Sequence, residues 1–123
     1  MTDVIAIDAG EQHTLALKAD GAVVGWGGND YGQLTIPSGL AGVTAISAGM
    51  LHSVALKSDG SVVAWGFNGS LQSNVPPDLT GVSAISAGSS HTVALKNEGT
   101  VVAWVCQGRY ALVIRAVDRT SGS

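Results

Sequence analysis

His13, His52 and His91 recur at a single interval of 39 residues, and nothing else constrains this chain as much. Trp26, Trp65 and Trp104 keep the same interval, as do Gly10, Gly49 and Gly88, and Pro37 returns as Pro76. A fixed period of about 40 residues means that each unit is one supersecondary block too small to hide its own apolar face. Such units must stack on one another, in a line or around an axis. Repeated positions then describe the scaffold, and positions that break the repeat are where function is to be sought.

Each unit reads as a small antiparallel sheet. It opens on an apolar stretch (VIAIDAG, VTAISAG or VSAISAG), followed by two variable residues and the histidine. Next come HTLALKADG, HSVALKSDG or HTVALKNEG, and then AVVGW, SVVAW or TVVAW. These are short alternating runs, rich in β-branched residues and bounded by glycine, which is the strand signature. In HSVALK, Ser53, Ala55 and Lys57 face one way while Val54 and Leu56 face the other. Asp20-Gly21 and Asp59-Gly60 fall between two such runs, a strong hairpin signal. Glu98-Gly99 replaces them in the third unit and keeps the glycine, which can take positive φ. No window sustains a helical period. The expectation is an all-β chain, a partial β-propeller of about three blades, each of three to four short antiparallel strands. A solenoid is the structural rival, but its coils usually use fewer residues per turn. The repeat array is expected over residues 1–105, in units 4–42, 43–81 and 82–105, with a divergent tail over 106–123.

Composition narrows the function classes. Hydrophobic residues make up 46% and charged residues 12%, which excludes a disordered chain. The net charge is −3, and Lys18, Lys57 and Lys96 are repeat-equivalent, so they form a solvated ring rather than a patch. No nucleic-acid partner is expected, since that needs concentrated Lys and Arg. The single cysteine, Cys106, cannot close an internal disulfide and reads as a small buried or half-buried residue. The N-terminus places Asp3 and Asp8 where a leader would carry basic residues. No apolar run approaches the ~20 residues that span a bilayer. Neither a leader nor a membrane partner is expected, and a cytoplasmic location is the default.

The units resemble the RCC1-type (regulator of chromosome condensation) repeat in its bacterial form. The residues that carry the likeness are Ala-Gly before each histidine, Ala-Leu-Lys after it, the Asp-Gly turns, and Trp26-Gly27 with Asn29 and Gly32-Gln33. The second unit keeps Trp65-Gly66, Asn68 and Gln72 but has Leu71 where the family has glycine. Ile36-Pro37 and Val75-Pro76 link the units. The resemblance covers residues 4–104 and implies a closed propeller, usually of seven blades. Fewer than three complete units are present here. The resemblance therefore implies an arc of a larger propeller, or copies that associate to complete a ring. Family precedents, nucleotide exchange on a small GTPase and inhibition of a β-lactamase, do not carry over, because only scaffold residues match. After Trp104 the pattern stops, and Arg109, Arg115 and Arg119 are all the arginines of the chain. Two readings stand: a truncated or frameshifted reading frame with no independent function, or a cap with an edge strand near Tyr110–Val117 and Arg115 as its gatekeeper.

Repeated histidines invite a metal site, but equivalent positions in neighbouring sheets lie roughly 10 Å apart. Zinc ligands must sit ~2.0–2.1 Å from one ion. No metal and no cofactor are expected. Each ring is expected to bond backbone in its own or the next blade. His52 with Ser53, or His91 with Ser89 or Ser90, make no nucleophile–base pair, since strand neighbours face opposite ways. The glycine-rich run 25–32 lacks the helix and lysine of a phosphate loop. No enzymatic activity is expected. The repeated tryptophans read as core or interblade packing. The remaining signal is variation: Glu11-Gln12, Met50-Leu51 and Ser89-Ser90 before the histidines, and Gly28–Tyr31 against Phe67–Ser70. Met50, Leu51, Tyr31 and Phe67, with Asn29 and Asp30, are the candidate binding residues for a protein partner or for self-association. The bland alternative for these positions is loop drift.

Overall fold

In a computed structural model, which describes residues 3–29, 32–66, 75, 79–88, 91–104 and, for the backbone alone, 105 and 112–114, the chain forms three antiparallel sheets. The first is β1 (Val4–Ala9), β2 (His13–Lys18) and β3 (Val23–Gly27), in that order. The second is β4 (Val43–Ala48), β5 (His52–Lys57) and β6 (Val62–Gly66). The third is β7 (Val82–Ala87), β8 (His91–Lys96) and β9 (Val101–Val105), extended at its outer edge by β10 (Leu112–Ile114). There is no helix among the described residues. The all-β partial propeller, with three to four strands to a blade, is what the repeat predicted.

Local chemistry sets the register. β1, β4 and β7 each carry a bulge at the second residue, between Val4 and Ala6, Val43 and Ala45, and Val82 and Ala84. Bulges bend a strand and raise its twist, as a blade requires. Thr44 and Ser83 sit in these bulges and donate their hydroxyls to the carbonyls of Leu56 and Leu95. The hairpins after β2 and β5 turn at Gly21 (φ 86°) and Gly60 (φ 85°). Asp20 and Asp59 do not take positive φ, so these turns are not the two-residue type I′, which needs it at both centres. Instead each carboxylate accepts the N–H two residues on, Ala22 or Ser61, both at 3.0 Å, an Asx arrangement.

The sheets bury one another. β1 packs on β4 and β4 on β7, while β2 reaches β4 and β5 reaches β7. First strands therefore gather on one side of the arc. The interface of the first and second sheets is built from Leu15, Leu17 and Val23 against Val43, Ala55 and Trp65. The interface of the second and third repeats it with Val54, Leu56 and Val62 against Val82, Ala94 and Trp104. The middle strand of the second sheet, β5, flanked by a sheet on either side, is buried on both faces from His52 to Leu56.

The tryptophans depart from the expectation of uniform packing. Trp65 and Trp104 are buried, but Trp26 is 48% exposed. Trp65 and Trp104 each pack against the preceding sheet, and among the described residues no sheet stands before Trp26. Repeat equivalence specifies the side chain, not its neighbour.

Candidate binding surface and the interblade histidines

The turns between first and second strands, 10–12 and 49–51, lie at the same end of the arc as the loop leaving β3. At this end β1 and β4 finish and β2 and β5 begin. Met50 and Leu51 are half-buried there. The Met50 N–H donates to the Gly88 carbonyl of the next unit at 3.3 Å. Met50 also borders a shallow open depression with Ala9, Gly10, Glu11, Ala48, Gly49, Ala87 and Gly88. The depression exists because the units approach closely: a Cβ on Gly10 or Gly49 would run into the carbonyl oxygen of Gly49 or Gly88.

Asn29 is exposed at the same end, and its Oδ1 accepts the Leu34 N–H at 2.7 Å. Its side chain therefore ties the loop that delivers Gln33, which is fully buried, toward the second sheet. The Gln33 carbonyl accepts both the Ser53 hydroxyl and the Trp65 indole N–H, each at 2.9 Å. Met50, Leu51 and Asn29 thus share one end of the arc, with Asn29 partly committed to its own loop. Asp30, Tyr31 and Phe67 lie outside the described residues.

The histidines do something the sequence reading missed. His13 Nε2 lies 3.0 Å from Ser53 Oγ in the next sheet, and His52 Nε2 lies 2.9 Å from Thr92 Oγ1 in the one after. The expected backbone partner is replaced by a side-chain hydroxyl across the interface. The signal was present, since a hydroxyl residue (Thr14, Ser53 or Thr92) follows every histidine. Strand alternation excludes a pair within one strand, whereas these pairs form between strands 40 residues apart. A second interblade bond also repeats: Asp8 Oδ2 accepts the Ala48 N–H at 2.6 Å, and Ser47 Oγ accepts the Ala87 N–H at 2.9 Å.

A histidine against a serine suggests a nucleophile and base, but the proton count refuses it. Ser53 donates its one hydroxyl hydrogen to the Gln33 carbonyl. His13 Nε2 must therefore carry the proton and donate to Ser53, so the ring cannot accept that serine's hydrogen. His13 and Ser53 are also buried. Nδ1 of His13 and of His52 is buried without a hydrogen-bond partner among the described residues. Burial lowers the His52 pKa from 6.5 to about 4, helped by the nearby His13 and His91 rings. His13 is lowered by the same desolvation, partly offset by the His52 backbone and the Asp8 carboxylate. Among the described residues no group of three or more His, Cys, Asp or Glu is placed to hold a metal ion. No helix among them is long and apolar enough to cross a membrane.

Comparison with known proteins places this geometry. The sequence profile described as the regulator of chromosome condensation (RCC1) repeat matches residues 4–33, 43–72 and 82–104. No curated protein matches the chain. Among solved structures, human WBSCR16 superposes with a TM-score of 0.73 at 25% identity, over 94% of this chain and 40% of its own. The ectodomain of the Physcomitrella patens receptor kinase CR4 gives 0.74 at 24% identity, over 87% and 30%. Prp20p of Saccharomyces cerevisiae, whose binding to Gsp1p and histones has been described, gives 0.70 at 24% identity, over 81% and 30%. This chain spans well under half the length of any of the three.

Proposed function

The chain belongs to the regulator of chromosome condensation (RCC1) repeat family, and from that membership we propose that it is a non-enzymatic scaffold that binds another protein through one end of its arc. The observation that carries this reading is the placement of Met50 and Leu51. They are apolar, unrepeated and half-exposed on a turn whose counterparts are Glu11-Gln12 and Ser89-Ser90. A scaffold under no local demand has no reason to hold two large apolar residues on a turn, and apolar and aromatic anchors are what interfaces use. Asn29 adds polar edge at the same end, and Asp30, Tyr31 and Phe67 are proposed contributors on sequence grounds alone. The likeness to Prp20p, which binds proteins, supports the same class of partner. The mild acidity of the chain supports protein over nucleic acid. The repeat array is taken as residues 1–105. The pairing of Leu112–Ile114 with Val101–Ala103 favours the tail as an edge-capping segment over a displaced reading frame.

Affinity purification with the parent chain and with Met50→Ala/Leu51→Ala tests this. A partner held by the parent and lost by the variant supports the surface. Equal recovery of every partner by both removes it.

A further inference from the structure

Both internal interfaces are built from the same two half-surfaces, and each end of the arc carries one of those halves uncovered. The half that faces forward presents a histidine and a leucine from the second strand: His13 with Leu17, then His52 with Leu56. The half that faces backward presents a first-strand valine, an isoleucine, a tryptophan and a hydroxyl: Val43, Ile46, Trp65 and Ser53, then Val82, Ile85, Trp104 and Thr92. The backward half of the first sheet is Val4, Ile7, Thr14 and Trp26. The forward half of the third is His91 and Leu95.

Exposure follows this division. Val43 and Val82 are 4% and 5% exposed, and Val4 is 36%. Leu17 and Leu56 are 1% and 5% exposed, and Leu95 is 40%. His13 and His52 are buried, and His91 is exposed. Among the described residues the exposed large apolar side chains are Val4, Ile5, Ile7, Trp26 and Leu95, and of these only Ile5, at a bulge, lies off the two half-surfaces.

We propose that the Val4–Ile7–Trp26 face of one copy docks on the His91–Leu95 face of a second copy, so that two chains close a ring of six sheets. The docking continues an interface the chain already makes twice, which is what selects the occupant. It sets His91 opposite Thr14 of the second copy, as His13 meets Ser53 and His52 meets Thr92. Contacts of this head-to-tail kind form a ring when the rotation closes and a filament when it does not. Propellers close with roughly four to eight blades. Copies of a three-sheet arc reach that range only as a pair. This deepens the scaffold reading, and it rests on the chain being a propeller arc, not on the Met50–Leu51 surface.

Analytical ultracentrifugation of the parent chain, Trp26→Arg and Leu95→Arg tests it, with circular dichroism to confirm that each variant keeps its sheets. Both positions are exposed in the single chain, so neither change disturbs a core. The parent is expected at twice the chain mass. Each variant is expected to dissociate with a constant roughly thirtyfold or more higher, the scale of a buried interface anchor. An equimolar mixture of the two variants is expected to regain pairs, because the Trp26→Arg copy keeps an intact forward face and the Leu95→Arg copy an intact backward one. A monomeric parent, an open-ended assembly, or pairs that survive both substitutions would each overturn the proposal. Met50→Ala/Leu51→Ala leaves pairing intact on this account, so loss of partner binding and loss of pairing report on different claims.

Discussion

Acid should weaken this fold through its buried histidines before it reaches the carboxylates. His52 is fully buried, and its pKa drops from 6.5 to about 4 because the charged ring would be stripped of water beside two other imidazoles. Above pH 6.5 the ring is neutral in both the folded and the unfolded chain, so it contributes no pH dependence. Between 6.5 and 4 the unfolded chain binds a proton that the folded chain refuses, and stability falls as pH falls. Below about 4 both states are protonated, and the loss from this group levels off. The slope is about 1.4 kcal/mol per pH unit for one such group, so the whole window is worth roughly 3 kcal/mol. His13, lowered in the same direction, steepens the upper part of the window. Asp59 acts elsewhere: its pKa is held below the usual carboxylate value by the Ser61 hydroxyl and N–H, so any loss from it begins only below about 3.9. Urea denaturation from about pH 7.5 to about pH 4, with NMR titration of the ring protons, measures the effect. His52→Gln should flatten the curve. A His52 that titrates near 6.5, or a stability that stays level from about pH 7 to about pH 5, would refute the reasoning.

Three further outcomes follow from the interfaces. Thr92→Val deprives His52 Nε2 of its partner and should cost about 1–3 kcal/mol in a urea melt, the penalty for a buried unpaired polar atom. Gly49→Ala puts a Cβ against the Gly88 carbonyl and 2.8 Å from His52 Nδ1. It should destabilise far more than Gly39→Ala, which meets nothing within 4 Å and adds only the strain of φ 79°, about 1–2 kcal/mol. Trp65→Ala should cost about 3–5 kcal/mol as a buried aromatic, while Trp26→Ala, measured at concentrations where the chain is single, should cost under about 1 kcal/mol.

The strands, their order and the glycine turns were legible because three copies of one unit average out the accidents of any single segment. Gly10 and Gly49 were legible as repeats but not as contacts, since the carbonyl each admits belongs to the next unit. The histidine–hydroxyl pairs were hidden for the same reason. Strand alternation says which way His52 points, but not that Thr92 waits there. Trp26 and His91 were misjudged by treating equivalent residues as equivalently placed, when the ends of an array lack one neighbour each. Asn29 stands in a variable loop but also recurs as Asn68. Its bond to the Leu34 N–H gives that recurrence a structural duty, with a partner that spacing could not name.

These observations share one physical cause. A sheet of three short strands cannot satisfy its own side chains, so the repeat places half of each contact on one unit and half on the next. The hydroxyl that quiets a histidine, the carboxylate or hydroxyl that meets a backbone N–H, and the leucine that covers a tryptophan all come from different units. Repeated polar groups are thereby committed to the arc, which leaves recognition to what does not repeat. The same division means that the uncovered halves at the two ends are complementary without any separate selection for it. Stability inside the arc and association between arcs then draw on one kind of contact, the meeting of a forward half-surface with a backward one.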